Sequence, residues 1–506
     1  MKEYNEILNC EVDLQAVDKI NYHFAKLHQL IPIGMEQNTL HVAIVDPFNF
    51  VAIDNLRHMT GMEIDIIPFS QEQMEQVIDF YYEKQRVEEA AQLFQQNTIS
   101  SDHFKVHEHT EEDQISDAPI VKIVDGILKQ GFRLQASDIH IEPLSQTIRV
   151  RYRIHGDLKT VMNYDIQLLS SIATRIKVMA GLNIAEQRKP QDGKIVLPIQ
   201  NSLKELRVST IPTIHGEKIV LRLMKKDTIY QDMKKLGFFT KDLKLFQSML
   251  EQPHGICLIS GPTGCGKSTT LYAALSKLNQ EESNIVTIED PVEADIEGIN
   301  QMQINPKSGL EFVSALRYVL RQDPDIIMVG EIRDKETAQL SIKAALTGHL
   351  VLSTLHTNDA VSTIVRLLDM GIDPFLIGST LLGVVSQRLI RCLCPKCKIA
   401  YYPSKEEIDF LQITKSDKIT NLFQAKGCSY CHFTGYKERT GVYETLFISP
   451  TIRQMIYEKQ LPDIIRNQAL QEGMTTLFQH GRYLVFQGVT TVDELIHIAY
   501  SLDEKK

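Results

Sequence analysis

Residues 255–270 read GICLISGPTGCGKSTT, and no other stretch limits the fold of this chain as strongly. An apolar run, Ile256 to Ile259, leads into Gly261, Gly264, Gly266, Lys267 and Ser268, which complete GxxxxGKS, and the helix-like TTLYAALSKL follows. Strand, loop and helix in that order frame an α/β phosphate-binding unit. The glycines let backbone N–H groups converge on phosphate oxygens with no Cβ in the way, and the helix adds its positive N-terminal end. The loop residues Gly261, Pro262, Thr263, Gly264, Cys265, Gly266, Lys267, Ser268 and Thr269 are therefore expected to bind ATP. Lys267 would reach the β- and γ-phosphates and the Ser268 hydroxyl would ligate Mg²⁺. Cys265 is read as a small spacer.

The 506-residue chain has room for several domains. A net charge of −10 argues against a general nucleic-acid binder, since duplex binding draws on a concentrated basic surface. No apolar run approaches the roughly eighteen residues of a membrane span, and the polar start MKEYNEILNC does not read as a signal peptide. A cytoplasmic protein is expected, with its eight cysteines as thiols or metal ligands rather than disulfides.

Residues 1–85 mix helix-like and strand-like text around LHVAIV, which predicts a small α/β domain, and the polar, acidic residues 86–116 predict a flexible linker. Residues 117–224 predict an α+β domain. It opens with the helix PIVKIVDGILKQGF and continues into a hairpin of SDIHIEP and TIRVRYRIHG. Asp138, His140 and Glu142 share one face of the first strand, and Arg149, Arg151 and Arg153 share one of the second. Cross-strand ion pairing is a simpler account of these arginines than an anion site. In the next helix Leu168, Ile172, Ile176 and Met179 form a core stripe. Two strands, ELRVSTIPT and GEKIVLRLM, close the domain, and 225–235 reads as a hinge.

From 236 to 390 the chain repeats a strand followed by a carboxylate-bearing loop, the pattern of an α/β sheet that gathers its chemistry at the C-terminal ends of its strands. Glu289, Asp290 and Glu293 follow NIVTI; Glu331 and Arg333 follow DIIMV. Acids placed there can hold Mg²⁺ or orient the attacking water. His349 and His356 flank LVLST. Seven residues apart along a strand they fall on opposite faces, which favours hydrogen-bonding roles over a zinc pair. Arg317 and Arg321, four apart on a helix, form either a solvated face or a source of transition-state charge neutralisation.

Cys394 and Cys397, then Cys428 and Cys431 after thirty residues, make two CxxC knuckles. Four thiolates satisfy one tetrahedral Zn²⁺, and they close the site to substrate. A zinc subdomain over 391–436 is expected, followed by a helical subdomain over 437–506. Cys392 is an alternative ligand; Cys10 and Cys257 read as core thiols.

With ASDIHIEP, RIKVMAGLNIAEQRKPQDGK, VSTIPTIHGEKIVLRLM, GPTGCGKSTTLYAAL, IEDPVE, LRQDPDIIMVGEIRD, AALTGHLVLSTLHTNDA and the paired CxxC in hand, the chain resembles the ATPases of type II secretion and type IV pilus assembly, most closely the general secretory pathway E type. The resemblance implies an α/β multidomain chain with a PAS-like α+β domain over 117–224 and a RecA-like P-loop core over 236–390, and a homohexamer with nucleotide held between the arginine-bearing domain and the phosphate-loop domain. It implies that Glu289, Glu331, His349 and His356 serve hydrolysis and that Arg207, Arg222, Arg317 and Arg321 approach the phosphates. It implies partners too: an inner-membrane platform protein that hydrolysis moves, and a cytoplasmic domain of a membrane-anchored partner docked by the N-terminal domain. The protein would then lie at the cytoplasmic side of the inner membrane, peripheral through these partners, with no direct nucleic acid. Residues 1–85 resemble only the compact part of the longer N-terminal region of the pilus branch, so the resemblance does not imply cyclic-di-GMP control. The expected function is ATP hydrolysis driving pseudopilus assembly and protein export. Type IV pilus extension is the alternative, and a DNA uptake motor or a non-hydrolysing scaffold is a more distant one.

Overall fold

A seven-stranded sheet carries the phosphate loop. Its order is Asn300–Gln303, Ile285–Glu289, Ile326–Val329, Leu350–Leu355, Gly255–Ser260, Leu381–Leu393, Tyr436–Phe447, parallel throughout except for the last, antiparallel strand. The structure is a computed structural model. It describes residues 14–82 apart from 37, 72, 73, 75, 76, 79 and 80; 119–223 apart from 135, 155, 200 and 201; and 232–414, 421–431 and 434–503. The linker expected over 86–116 and Cys10 lie outside the described residues, as does most of the hinge expected over 225–235.

The chain divides into two compact units, one of residues 1–224 together with 428–433 and one of residues 225–427 together with 434–506. In the second, alternate strand residues enter separate cores on the two faces of the sheet. Ile256, Leu258, Ile288 and Val351 pack on one side, and Cys257, Ile259, Ile285 and Leu352 on the other. A sheet covered on both faces needs continuous apolar strands, which is how GICLI, NIVTI and DIIMV read. Each such buried aliphatic side chain contributes about 1.5–3 kcal/mol.

The first unit contains two sheets. Leu30–Glu36, Thr39–Ile44 and Glu63–Pro68 form a three-stranded one, accompanied by the helix Phe50–Thr60 that Gly61 ends in the left-handed conformation. A six-stranded antiparallel sheet runs Asp157–Asp165, Thr147–Ile154, Asp138–Pro143, Gly216–Leu223, Ser202–Thr213, Gln191–Ile199. One face of it buries Ile139, Val150, Tyr152, Val208 and Leu221 with residues of the helices Pro119–Arg133 and Leu169–Met179. The other face is charged. Glu142 accepts from Arg149 at 3.0 Å and Arg151 at 2.7 Å, and Arg153 lies 3.7 Å from Asp138, the ion pairing expected from the alternation.

Three features differ from the sequence reading. Gln191–Ile199 is a strand although Gly193 and Pro198 interrupt its text; it lies at the sheet edge, where proline is tolerated. Lys177, one residue past the core position Ile176, is itself buried, its ammonium 2.7 Å from Glu217 Oε1 and 2.7 Å from the Glu186 carbonyl. In the stretch expected to be helical from 437 onward, the first residues instead extend Tyr436–Phe447, an edge strand of the main sheet; helices follow from Pro450.

Candidate active site

The wholly buried strand Gly255–Ser260 ends on Gly261, whose φ of +147° favours glycine. A Cβ there would stand 2.6 Å from Cys265 Sγ and 2.6 Å from the Gln387 carbonyl oxygen, so the loop turns back too tightly for any other residue. The helix Lys267–Leu278 starts directly after Gly266. Pro262, Thr263, Gly264 and Ser268 are exposed, Thr269 is half-buried, and Cys265 is buried beneath them. Lys267 Nζ donates to the carbonyl oxygens of Gly261 at 2.8 Å and Pro262 at 2.9 Å, which holds the ammonium over the loop. Burial lowers the Lys267 pKa, and the neighbouring Cys265 and Glu331 oppose that shift.

Glu331, just past the strand Ile326–Val329, faces the same space. Its carboxylate is 2.5 Å from Arg333 and 3.5 Å from His356 Nε2. Burial and the Lys267 charge keep the His356 pKa below the ordinary imidazole value, so the ring is neutral near pH 7. Asp290 adds to the field that, with Glu331, strengthens the Arg333 charge. Lys267, Glu331, Arg333 and His356 thus come together from three loops, beside a cavity of about 580 Å³ lined in part by Arg333, His356, Asn358 and Arg366.

Glu289 ends the strand Ile285–Glu289. It is 4 % exposed and accepts hydrogen bonds from Tyr272, from Thr287 Oγ1 at 2.6 Å and from Gln301 Nε2 at 3.0 Å. Thr287 and Glu289 share a strand face with Ile285, and that face packs against the phosphate-loop helix through Tyr272. Three donors hold this carboxylate, one of them from the phosphate-loop helix. Burial and Glu289 together push the Tyr272 pKa above the ordinary phenol range.

The two histidines flank the strand Leu350–Leu355. His349 stays at the opposite end of Leu350–Leu355, with Nδ1 2.9 Å from the Ala344 carbonyl at the end of the helix Lys335–Leu346. Arg317 and Arg321 are exposed, and Arg317 pairs with Glu336 on that neighbouring helix. In the first unit Arg207 and Arg222 stand directly opposite each other in the register. They belong to a cross-sheet row that runs Arg153, Asp138, Arg222, Arg207, Lys194, in which Arg222 Nε donates to Asp138 at 2.8 Å.

The sequence reading missed Gln387 and Arg388. Both are buried on Leu381–Leu393, with Gln387 bonded to the loop carbonyl of Cys265 and to Thr270. The signal available was a polar pair inside the apolar text GVVSQRLI.

Cys394, Cys397, Cys428 and Cys431 bring their sulfurs within 4.8 Å of one another, and Cys392 is not part of the group. Each pair lies in a tight turn, Cys397 N donating to the Cys394 carbonyl at 3.3 Å and Cys431 N to the Cys428 carbonyl at 3.2 Å. The Sγ atoms of Cys428 and Cys431 are 3.8 Å apart. Tetrahedral Zn–S bonds of about 2.3 Å place sulfurs about 3.8 Å apart, so the donor set fits zinc.

A parallel sheet whose GxxxxGKS strand ends beside an acid, an arginine and a histidine from neighbouring loops defines a phosphate-loop ATPase. Comparison with known proteins narrows that class. The family described as Type II/IV secretion system protein matches residues 113–497, and the MshEN domain matches residues 3–88. The chain belongs to the type II/IV secretion system protein family. It is 41% identical over 483 residues to Type II secretion system protein E of Dickeya dadantii, covering 94% of this chain and 96% of that one. It is 39% identical over 500 residues to Type II secretion system ATPase E of Vibrio cholerae, covering 97% and 99%. It is 40% identical over 496 residues to Type IV pilus assembly ATPase PilB of Myxococcus xanthus, covering 96% and 87%. Among solved structures, the pilus retraction motor PilT with bound ADP aligns at 27% identity and a TM-score of 0.51, covering 74% of this chain and 96% of that one. Among the described residues no helix is long and apolar enough to cross a membrane.

Proposed function

We propose that the protein is the ATPase motor of a type II secretion system, hydrolysing ATP to drive pseudopilus assembly and protein export. The observation that carries the chemistry is the convergence of Lys267, Glu331 and His356 on the phosphate loop. The near full-length likeness to type II secretion proteins supports the cellular role.

In this reading the loop amides and Lys267 bind the phosphates, and Ser268 and Glu331 hold Mg²⁺. When bound, Mg²⁺ neutralises developing phosphate charge. His356 orients the Glu331 carboxylate. Glu289, bonded to Tyr272, braces the loop from behind, and Asp290 and Glu293 at the same strand end orient the attacking water. Arg207 and Arg222, with Arg317 and Arg321, supply charge neutralisation once six copies form a ring, and the four cysteines hold a structural Zn²⁺. The motor works from the cytoplasmic side of the inner membrane, against a platform protein and a cytoplasmic domain of a membrane-anchored partner. Pilus extension is the second reading, favoured by the likeness to the Myxococcus xanthus pilus assembly ATPase.

The deciding experiment compares Mg²⁺-dependent ATP turnover of the purified protein with that of Glu331→Gln, with size and zinc content measured on the same samples. Turnover that rises on ring formation and disappears in the variant supports the motor. A zinc-loaded hexamer inactive with and without the partner's cytoplasmic domain would refute it.

A further inference from the structure

The strand Leu381–Leu393 presents two consecutive buried polar side chains, Gln387 at 1 % exposure and Arg388 at 6 %. Neighbours on a strand point to opposite faces, and each of these reaches a different loop. Gln387 Nε2 donates to the Cys265 carbonyl at 2.7 Å, while its Oε1 accepts from the Thr270 hydroxyl at 2.8 Å. One carboxamide therefore bridges the middle of the phosphate loop and the first turn of the helix after it. Contact is close: a Cβ added to Gly266 would lie 3.3 Å from Gln387 Nε2. Arg388 donates to the Gln387 carbonyl at 3.0 Å and to the Asn358 carbonyl at 2.9 Å, and Asn358 follows His356 by two residues. The pair ties the loop bearing Lys267 and the loop bearing His356 to a single strand.

We infer that Gln387 is a positioning residue for hydrolysis, an inference that rests on the ATPase reading above. Its carboxamide sets the separation between the loop and its helix, so that the loop amides and Lys267 meet the phosphates in register, and Arg388 holds the histidine loop to the same frame. The chemistry demands this side chain. Cys265 offers a carbonyl that needs a donor, and the Thr270 hydroxyl is turned to an acceptor. A carboxamide supplies both, an ionised glutamate only acceptors, and leucine neither. Gln387 belongs to the framework behind the loop, so its loss acts through geometry; misplacement of reacting groups by about 1 Å can cost about a hundredfold in rate.

The test uses full-length wild-type protein, Gln387→Leu, Gln387→Glu, Thr270→Val and Thr270→Ser, assayed where wild-type turnover is highest. ATP turnover, affinity for a fluorescent ADP analogue and melting temperature are read on each. Gln387→Leu, Gln387→Glu and Thr270→Val are expected to lower kcat about tenfold or more with KM changed less than about threefold, the pattern of interactions realised in the transition state. Thr270→Ser, which keeps the hydroxyl, should stay near wild type. An inactive wild type would overturn the ATPase reading itself. An active wild type with unchanged kcat in Gln387→Leu and Thr270→Val would overturn this inference alone. If the Gln387 variants do not fold, the Thr270 pair decides: equal kcat in valine and serine overturns the inference, and a split between them supports it.

Discussion

His356 Nε2 lies 3.5 Å from Glu331 Oε2, although the two residues sit on the ends of adjacent strands and are separated by a helix in sequence. The contact makes the neutral imidazole a partner of the acid rather than an independent site. His356→Ala should lower turnover about tenfold while leaving nucleotide affinity nearly intact, and it should add little to the loss in Glu331→Gln. Fully additive effects in the double-mutant cycle would mean that the histidine works elsewhere.

Glu289 is expected to contribute stability. Glu289→Ala strands the Tyr272 hydroxyl and leaves the Gln301 amide with Ala294 as its acceptor, a cost of about 3 kcal/mol for hydrogen bonds to a buried carboxylate. Denaturant unfolding measures it. A variant as stable as wild type but without turnover would return Glu289 to the chemistry.

His480 makes the second unit acid-sensitive. It is 1 % exposed, meets Tyr443 through Nδ1, and stacks on Phe239 with ring centroids 3.9 Å apart. Burial lowers its pKa from 6.5 to about 4. The unfolded chain takes up this proton near pH 6.5 and the folded chain only near pH 4, so stability is full above about 6.5 and declines as pH falls between the two. The loss amounts to about 3 kcal/mol. His480→Gln should flatten that part of the pH–stability profile; an unaltered slope would assign acid sensitivity to other groups.

One zinc per chain is the expected metal content. Cys428→Ser should reduce it sharply, because a three-thiolate remainder is an open site, and a strong chelator should destabilise the wild type but not the variant. Wild-type protein that is metal-free by elemental analysis and equally stable in chelator would remove zinc from the account.

Local patterns were the legible part. The phosphate loop, the buried strands around it, the cysteine knuckles and the pairing of Arg149 and Arg151 with Glu142 are each written within a few residues or at strand period. What escaped depends on contacts across long separations. Gln387 meets Cys265 from 122 positions away, and Glu444 accepts from Ala360 N across 84. Glu289 reads as catalytic from its strand-end text, and its hydrogen bond from Tyr272, seventeen residues earlier on the adjoining helix, is not legible there. The strand Tyr436–Phe447 was hidden because its pairing partner precedes the whole cysteine insertion.

That pairing has a mechanical side. Leu381–Leu393 begins beside the phosphate-loop strand, passes Gln387 at mid-length and runs directly into Cys394. Seven residues of extended chain measure roughly 23 Å. A hydrogen-bonded strand barely stretches, so the cysteine knuckle stands at a nearly fixed distance along the chain from the floor of the nucleotide cradle, with one irregularity in the pairing, between Arg391 and Leu393.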